Sequence, residues 1–260
     1  MGCYPLFSCS DWSAIEADLN ELRDELVCLS LVTDPFGEYE ADDLTTCFTH
    51  KVVPFKKHFV VDLSKPFTDS VSKHHRYYAQ RALRDIEVEL CDEPLQFLDT
   101  WCELYSHLSE RHGLKGMKAF SRKAFEQQLA VPGILMLRAI HEGETVAAHL
   151  WYHQGEIIHS HLAAVNSRGY ELMASYALYW TALESFSKTA RWLNFGAGAG
   201  LDNNGDDGLT RFKRGWTTTT RTAYFCARIF GPEKYESLCG ARELSTEINY
   251  FPAYRAGEFA

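Results

Sequence analysis

The sequence is short of several things. No stretch of its 260 residues approaches the ~18–20 consecutive apolar positions that span a bilayer. Cations are in deficit: 26 Lys and Arg stand against 35 Asp and Glu, a formal charge of −9. That balance excludes the broad basic face of a nucleic-acid coat, so no DNA partner is expected. The eight cysteines form no C-x-x-C pair, which removes zinc ribbons and thioredoxin motifs. They are expected as free, mostly buried thiols of a reducing compartment. No H-E-x-x-H is present. The first ten residues lack the charged and apolar regions of a secretory signal, and Leu6 stands where a myristoylation pattern needs Ser or Thr. These absences predict a cytoplasmic protein without a membrane span.

What is present is core-forming material. Hydrophobic residues make up 46% and aromatics 13%, which excludes disorder. A chain of this length buries about 70–75% of its unfolded surface and needs no staple. Helical spacing appears over residues 11–25, with Asp11 as cap, and over 94–112 and 121–129. A basic helix is expected over 68–85 and a long one over 170–188. Alternation and turn chemistry predict a three-strand meander: 134–141, 145–153 and 156–165. Shorter strands are read at 26–32, 52–63 (interrupted by Lys56, Lys57 and His58), 86–90, 191–195 and 217–230. The order predicts mixed α/β architecture with helices on both faces of one sheet. A change of texture near Cys91–Glu93 divides the chain into residues 1–92 and 93–260.

Four stretches carry chemistry. Gly196-x-Gly198-x-Gly200 follows a strand, as the S-adenosylmethionine loop of methyltransferases does. The polar run 202–207 and the 60 residues left after Gly200 speak instead for backbone close to a ligand or another strand. His149 and His153 share one face of the meander, and His159 and His161 share the other. No four-histidine metal site is therefore expected, and one of these residues can be a base. Arg211, Lys213 and Arg214 cluster between glycines, either as a solvated turn or as an anion site. Finally, a strand runs through Asn166, Ser167, Arg168, Gly169 and Tyr170 into a helix, whose N-terminus favours anions.

Taken together, four of the chain's segments resemble the FemAB-like branch of the GNAT acyltransferases. They are Ser70-Val71-Ser72-Lys73-His74-His75-Arg76, the Arg168-Gly169-Tyr170 junction, Gly208-Leu209-x-x-Phe212-Lys213-Arg214-Gly215-Trp216 and Phe251-Pro252-Ala253-Tyr254-Arg255. The likeness runs from about residue 65 to 255. It implies a tandem GNAT-like fold with a mostly antiparallel central sheet and a reduced N-terminal copy. It also implies transfer of an acyl or aminoacyl group from a thioester or ester, with acyl-CoA as co-substrate and no metal. Aminoacyl-tRNA is the other donor class. The acceptor would be a small-molecule amine or a sugar or peptide precursor, and a homodimer is compatible with the fold. The resemblance assigns the charged transition state to Lys213; His161 and His159 are the candidate bases. Ser167, Arg168, Gly169 and Tyr170 are expected at the donor, and Arg76, Arg211, Arg214 and Trp216 at an anionic acceptor. A catalytically inactive GNAT-like binding module and a methyltransferase are the competing readings.

Overall fold

Asp11 does begin a helix. Its carboxylate accepts the Ser13 amide at 2.9 Å, and one 3-10 turn leads into α1 (Ile15–Glu21). Strand β1 (Leu6–Phe7) precedes it; β2 (Cys28–Thr33), α2 (Ala41–Cys47) and β3 (Lys51–Asp62) follow. The Lys56-Lys57-His58 run does not interrupt β3 as expected, since the two lysines keep their ammonium heads near water while His58 turns inward. This computed structural model describes residues 6–114, 116, 119–199, 207–241 and 250–257. It divides into two compact units, residues 58–220 and the flanking segments 1–57 and 221–260. Residues 92 and 93, where the texture changes, both lie in the 58–220 unit.

In that unit the end of β3 is followed by α3 (Lys73–Ala82), shorter than expected because a separate 3-10 turn takes up 67–69. Strand β4 (Glu87–Cys91) leads to α4 (Leu98–His112), which stops at Gly113 in the left-handed conformation that glycine adopts at little cost. Ser121 caps α5 (Arg122–Leu129) through the Ala124 amide. The expected meander follows as β5 (Ile134–His141), β6 (Glu144–Gln154) and β7 (Ile157–Val165). The single helix expected over 170–188 is two: α6 (Ser167–Glu171) and α7 (Ala174–Phe186). The break falls at Met173, whose φ of 60° is uncommon for a residue with a Cβ. Strand β8 (Trp192–Gly196) and α8 (Gly208–Arg214) complete the unit.

Within it the strand order is β3-β8-β7-β6-β5-β4. Every neighbouring pair is antiparallel except β7 with β8. One face carries α3 and α7, over a core that includes Trp151, Leu178, Phe186, Phe195 and Trp216. The other carries α4 and α5, over Trp101, Tyr105, Phe125 and Leu150. Helices therefore cover both faces of a mostly antiparallel sheet. The flanking unit adds β9 (Thr220–Ile229) and α9 (Pro232–Gly240). Its strands run β1-β2-β9, with Leu29 opposite Arg228, around Trp12, Leu19, Leu44, Phe48 and Cys226. Among the described residues no helix is long and apolar enough to cross a membrane.

Trp151 anchors the α7 side. It is fully buried against Phe186, Tyr179 and Phe195, and its indole N–H has no partner among the described residues. Trp151→Ala should therefore lower stability by about 3–5 kcal/mol, the usual cost of a large buried aromatic. Trp151→Phe should lose much less, because it also removes an unsatisfied donor. Urea unfolding of the two variants measures the difference.

Candidate active site

The one parallel pair of the 58–220 unit is short. Strands β7 and β8 are in register only from Ile157/Trp192 to His159/Asn194. Beyond that point β7 continues to Val165, while Gly196, with φ at 77°, ends β8. A bulge between His149 and Trp151 shifts β7 against β6 at the same level. The consequence shows in exposure: Ser160 to Ala163 are only half-buried, although they lie in the middle of a central strand. The sheet is thus opened between β7 and the end of β8, and the opening runs toward the Asn166–Tyr170 junction.

Lys213 lies at the end of β8. It is 6% exposed, and its Nζ donates to the Ala197 carbonyl at 2.6 Å. A Cβ on Gly196 would stand 3.3 Å from the ammonium, so the glycine leaves room for it. The segment folds this way because Asp207 caps α8. One carboxylate oxygen accepts the Leu209 and Thr210 amides at 2.9 Å, and the other accepts the Thr210 hydroxyl at 2.5 Å. Gly198 packs on that cap, since an added Cβ would come within 2.1 Å of Thr210 Oγ1. Burial draws the Lys213 ammonium down to about 7, with the Asp207 charge working in the opposite direction. Asp207 itself is pulled down to about 2, chiefly by the Thr210 hydroxyl. Residues 200–206 of the expected glycine loop lie outside the described residues. The strand after α8, β9, runs antiparallel to β2, so the crossover to a parallel strand that a methyltransferase loop requires does not follow.

The other expected residues are placed as follows. Arg211 and Arg214 point outward from α8, while Phe212 turns inward beside Lys213. Trp216, expected beside an anion, is fully buried; it stacks on Tyr179 at 5.6 Å and belongs to the core. Arg76 donates to the carbonyls of Thr68 and Val71, bracing the turn before α3. Gly169 packs on β6, where a Cβ would meet the Val146 carbonyl at 2.4 Å, and its amide donates to Asn166 Oδ1 at 2.8 Å. Arg168 is engaged by Glu171 and His141. Ser167 and Tyr170 are exposed, and the Arg111 guanidinium covers the Tyr170 ring.

The histidines divide between the faces as read from the sequence. Gln154 faces Ile157, and Tyr152 faces His159. His149 lies on the α7 side against Trp151 and Tyr179, and its Nε2 meets Ser160 Oγ at 2.8 Å. His161 lies on the other side and donates to Gln128 Oε1 at 2.9 Å; burial takes it down to about 4, which makes it a weak base at neutral pH. His159 Nδ1 accepts from Asn194 Nδ2 at 3.1 Å. Among the described residues no cluster of His, Cys, Asp and Glu gathers as a metal would require. Sequence reasoning missed Ser160, Tyr179 and Asp207. Only the Asp-Gly-x-Thr cap pattern at 207–210 could have signalled the last.

Two expectations follow from the buried ammonium. The folded value near 7 lies below the ordinary 10.5, so the unfolded chain holds one more proton between these values. Stability contributed at this position therefore rises with pH across that window. Lys213→Met should stabilise the protein below about pH 7 and lose that gain by about pH 10, as denaturant unfolding at several pH values will show. Asp207→Asn keeps a capping side chain and deletes the charge. It should lower the Lys213 titration midpoint further, measured by NMR on lysine labelled at Cε, with Lys213→Met for assignment.

Comparison with known proteins agrees with this geometry. Residues 69–214, more than half of the chain, match the acetyltransferase (GNAT) domain family. No curated protein matches the chain. The crystal structure of FemX superposes with a TM-score of 0.65 at 15% identity, covering 87% of this chain and 80% of that one. A conserved protein of unknown function from Bacteroides thetaiotaomicron gives 0.58 at 11% identity, over 86% and 78%. L-PGS from Bacillus licheniformis gives 0.53 at 20% identity, over 68% and 61%. At these identities the structural likeness is one of fold, whereas the domain match extends through α3, the opened sheet and Lys213. The chain belongs to the GNAT acetyltransferase family, with a FemAB-like fold.

Proposed function

We propose that this acyltransferase moves an acyl group from a thioester, acyl-CoA, to an amine carried by a small molecule or by a sugar or peptide precursor. In that reaction the amine nitrogen bonds to the thioester carbonyl carbon. The carbon–sulfur bond then breaks, the amine gives up a proton, and the thiolate takes one. The observation that carries the reading is the buried Lys213 ammonium beside the end of the opened β7–β8 pair. A cation in a low-dielectric site stabilises developing negative charge far better than one in water. The half-buried edge of β7 offers an extended donor backbone groups to pair with, and the Ser167, Arg168, Gly169 and Tyr170 junction lies where that edge ends. Arg211 and Arg214 are assigned to an anionic portion of the acceptor, with Arg76 shaping the adjoining turn. His159 is assigned a structural bond to Asn194. His161 is assigned contact with the acceptor, and its proton passes to water.

The lowered Lys213 value favours a second reading, in which the neutral amine of Lys213 takes the acceptor's proton. The two readings differ in pH dependence. If the ammonium is active, kcat falls as pH rises through about 7; if the neutral amine is active, kcat rises there.

A thermal-shift panel of acyl-CoAs and aminoacyl-tRNA identifies the donor, since a ligand at 100 times its Kd adds about 2.7 kcal/mol. With that donor, Lys213→Met should lower kcat by about 10²–10³, as loss of one charge-stabilising donor does. Lys213→Arg should keep part of the activity and lose the descending limb of the pH profile. Near-normal kcat in Lys213→Met would remove Lys213 from the chemistry.

A further inference from the structure

Two sequence motifs that lie 140 residues apart, about the span from Ser72 to Phe212, meet in one device. His75 of α3 is buried, and its Nε2 lies 2.8 Å from the Phe212 carbonyl oxygen. A carbonyl only accepts, so Nε2 carries the hydrogen and Nδ1 is the acceptor. Ser72 completes this arrangement: its hydroxyl donates to Nδ1 at 3.1 Å and accepts the His75 amide at 3.2 Å. The Ser72 amide also donates to the Gly215 carbonyl at 2.8 Å. The imidazole lies against the Gly215 backbone, where an added Cβ would stand 1.9 Å from Cε1. Its other neighbours are the rings of Tyr176, Phe212 and Trp216.

The Phe212 carbonyl and the Lys213 amide belong to one planar peptide unit. We propose that His75 is a positioning residue for Lys213: by holding the Phe212 carbonyl it fixes the plane from which the lysine side chain departs, and so fixes where the ammonium stands. The proposal rests on the assignment of Lys213 to the chemistry. The Lys213 carbonyl is held in turn by the Trp216 amide at 3.0 Å, so the lysine backbone is fixed on both sides. A seven-residue helix has little rigidity of its own, and the clamp supplies it from a second helix.

His75→Phe keeps a ring and removes the donor; His75→Gln restores a donor that reaches the same carbonyl. Each is assayed for kcat and KM, and separately, without substrate, for the Lys213 titration by NMR on Cε-labelled lysine. His75→Phe should lower kcat by about 10- to 100-fold, the range for a small displacement of a reacting group, while KM holds. It should also move the Lys213 titration, and His75→Gln should bring both back. If His75→Phe fails to fold, Gly215→Ala decides the matter, because its methyl displaces the ring and leaves the imidazole intact; the same two shifts are expected. An unmoved Lys213 titration in the folded variant, or a His75→Gln that recovers neither quantity, overturns the proposal. Near-normal kcat in Lys213→Met together with a shifted titration in His75→Phe would instead overturn the role of Lys213 and leave the clamp standing.

Discussion

Much of the 58–220 unit can be understood from one constraint, a lysine ammonium kept almost out of water. A buried charge is tolerated only with partners close at hand. Here they are one carbonyl, from Ala197, and one carboxylate at the start of the same helix. Two glycines make room for that arrangement. Gly196 has no side chain to crowd it, and Gly198 lets the chain lie on the Thr210 cap. Tyr179, Phe212 and Trp216 form an aromatic wall that excludes water and lowers the local dielectric. The arrangement gives up some folding stability; on the proposed function it does so for a reactive side chain, a trade that active sites commonly make.

The opened sheet supplies the other half of the site. A parallel pair inside an otherwise antiparallel sheet is the place where two strands can part without breaking a hairpin, because no turn joins their ends. β7 and β8 part after three paired positions, and the half-buried residues of β7 are left accessible in the interior of the 58–220 unit's sheet. A ligand that lies there meets backbone groups already aligned for hydrogen bonding, on a scaffold held from both faces by helices.

How much of this was legible in the sequence depends on the range of the interaction. Local features were plain. The cap at Asp11 and the meander with its hairpin turns are set by neighbours within a few residues. Features decided by distant partners were not. Nothing around Met173 announces a left-handed residue, since neither glycine nor proline marks the break. Trp216 reads as a site residue because it follows a run of cations, yet the rings of Tyr176, Tyr179 and Phe212 and the imidazole of His75 draw it into the core. Lys213 reads as one cation of a solvated turn or an anion site. Its burial follows from Gly196 and Ala197, sixteen or so positions earlier, and so could not be read from charge spacing. The family resemblance supplied what local patterning lacked, because it ties together segments that only the fold brings into contact.

The division of the chain has a bearing on how the molecule comes to exist. Residues 58–220 form a continuous unit, whereas the other is built from the two ends of the described chain. Its middle strand, β2, pairs with β9, so that Leu29 lies opposite Arg228. During synthesis the early strand must wait for its partner while the whole intervening unit emerges, roughly 10–40 s at ~5–20 residues per second. Through that interval β2 has an unpaired edge, which invites pairing with other chains. The inserted unit can fold meanwhile on local contacts, and its completion shortens the effective loop that β2 and β9 must close. The order in which the ribosome delivers the strands thus places the closing of the flanking sheet after the synthesis of the whole 58–220 unit.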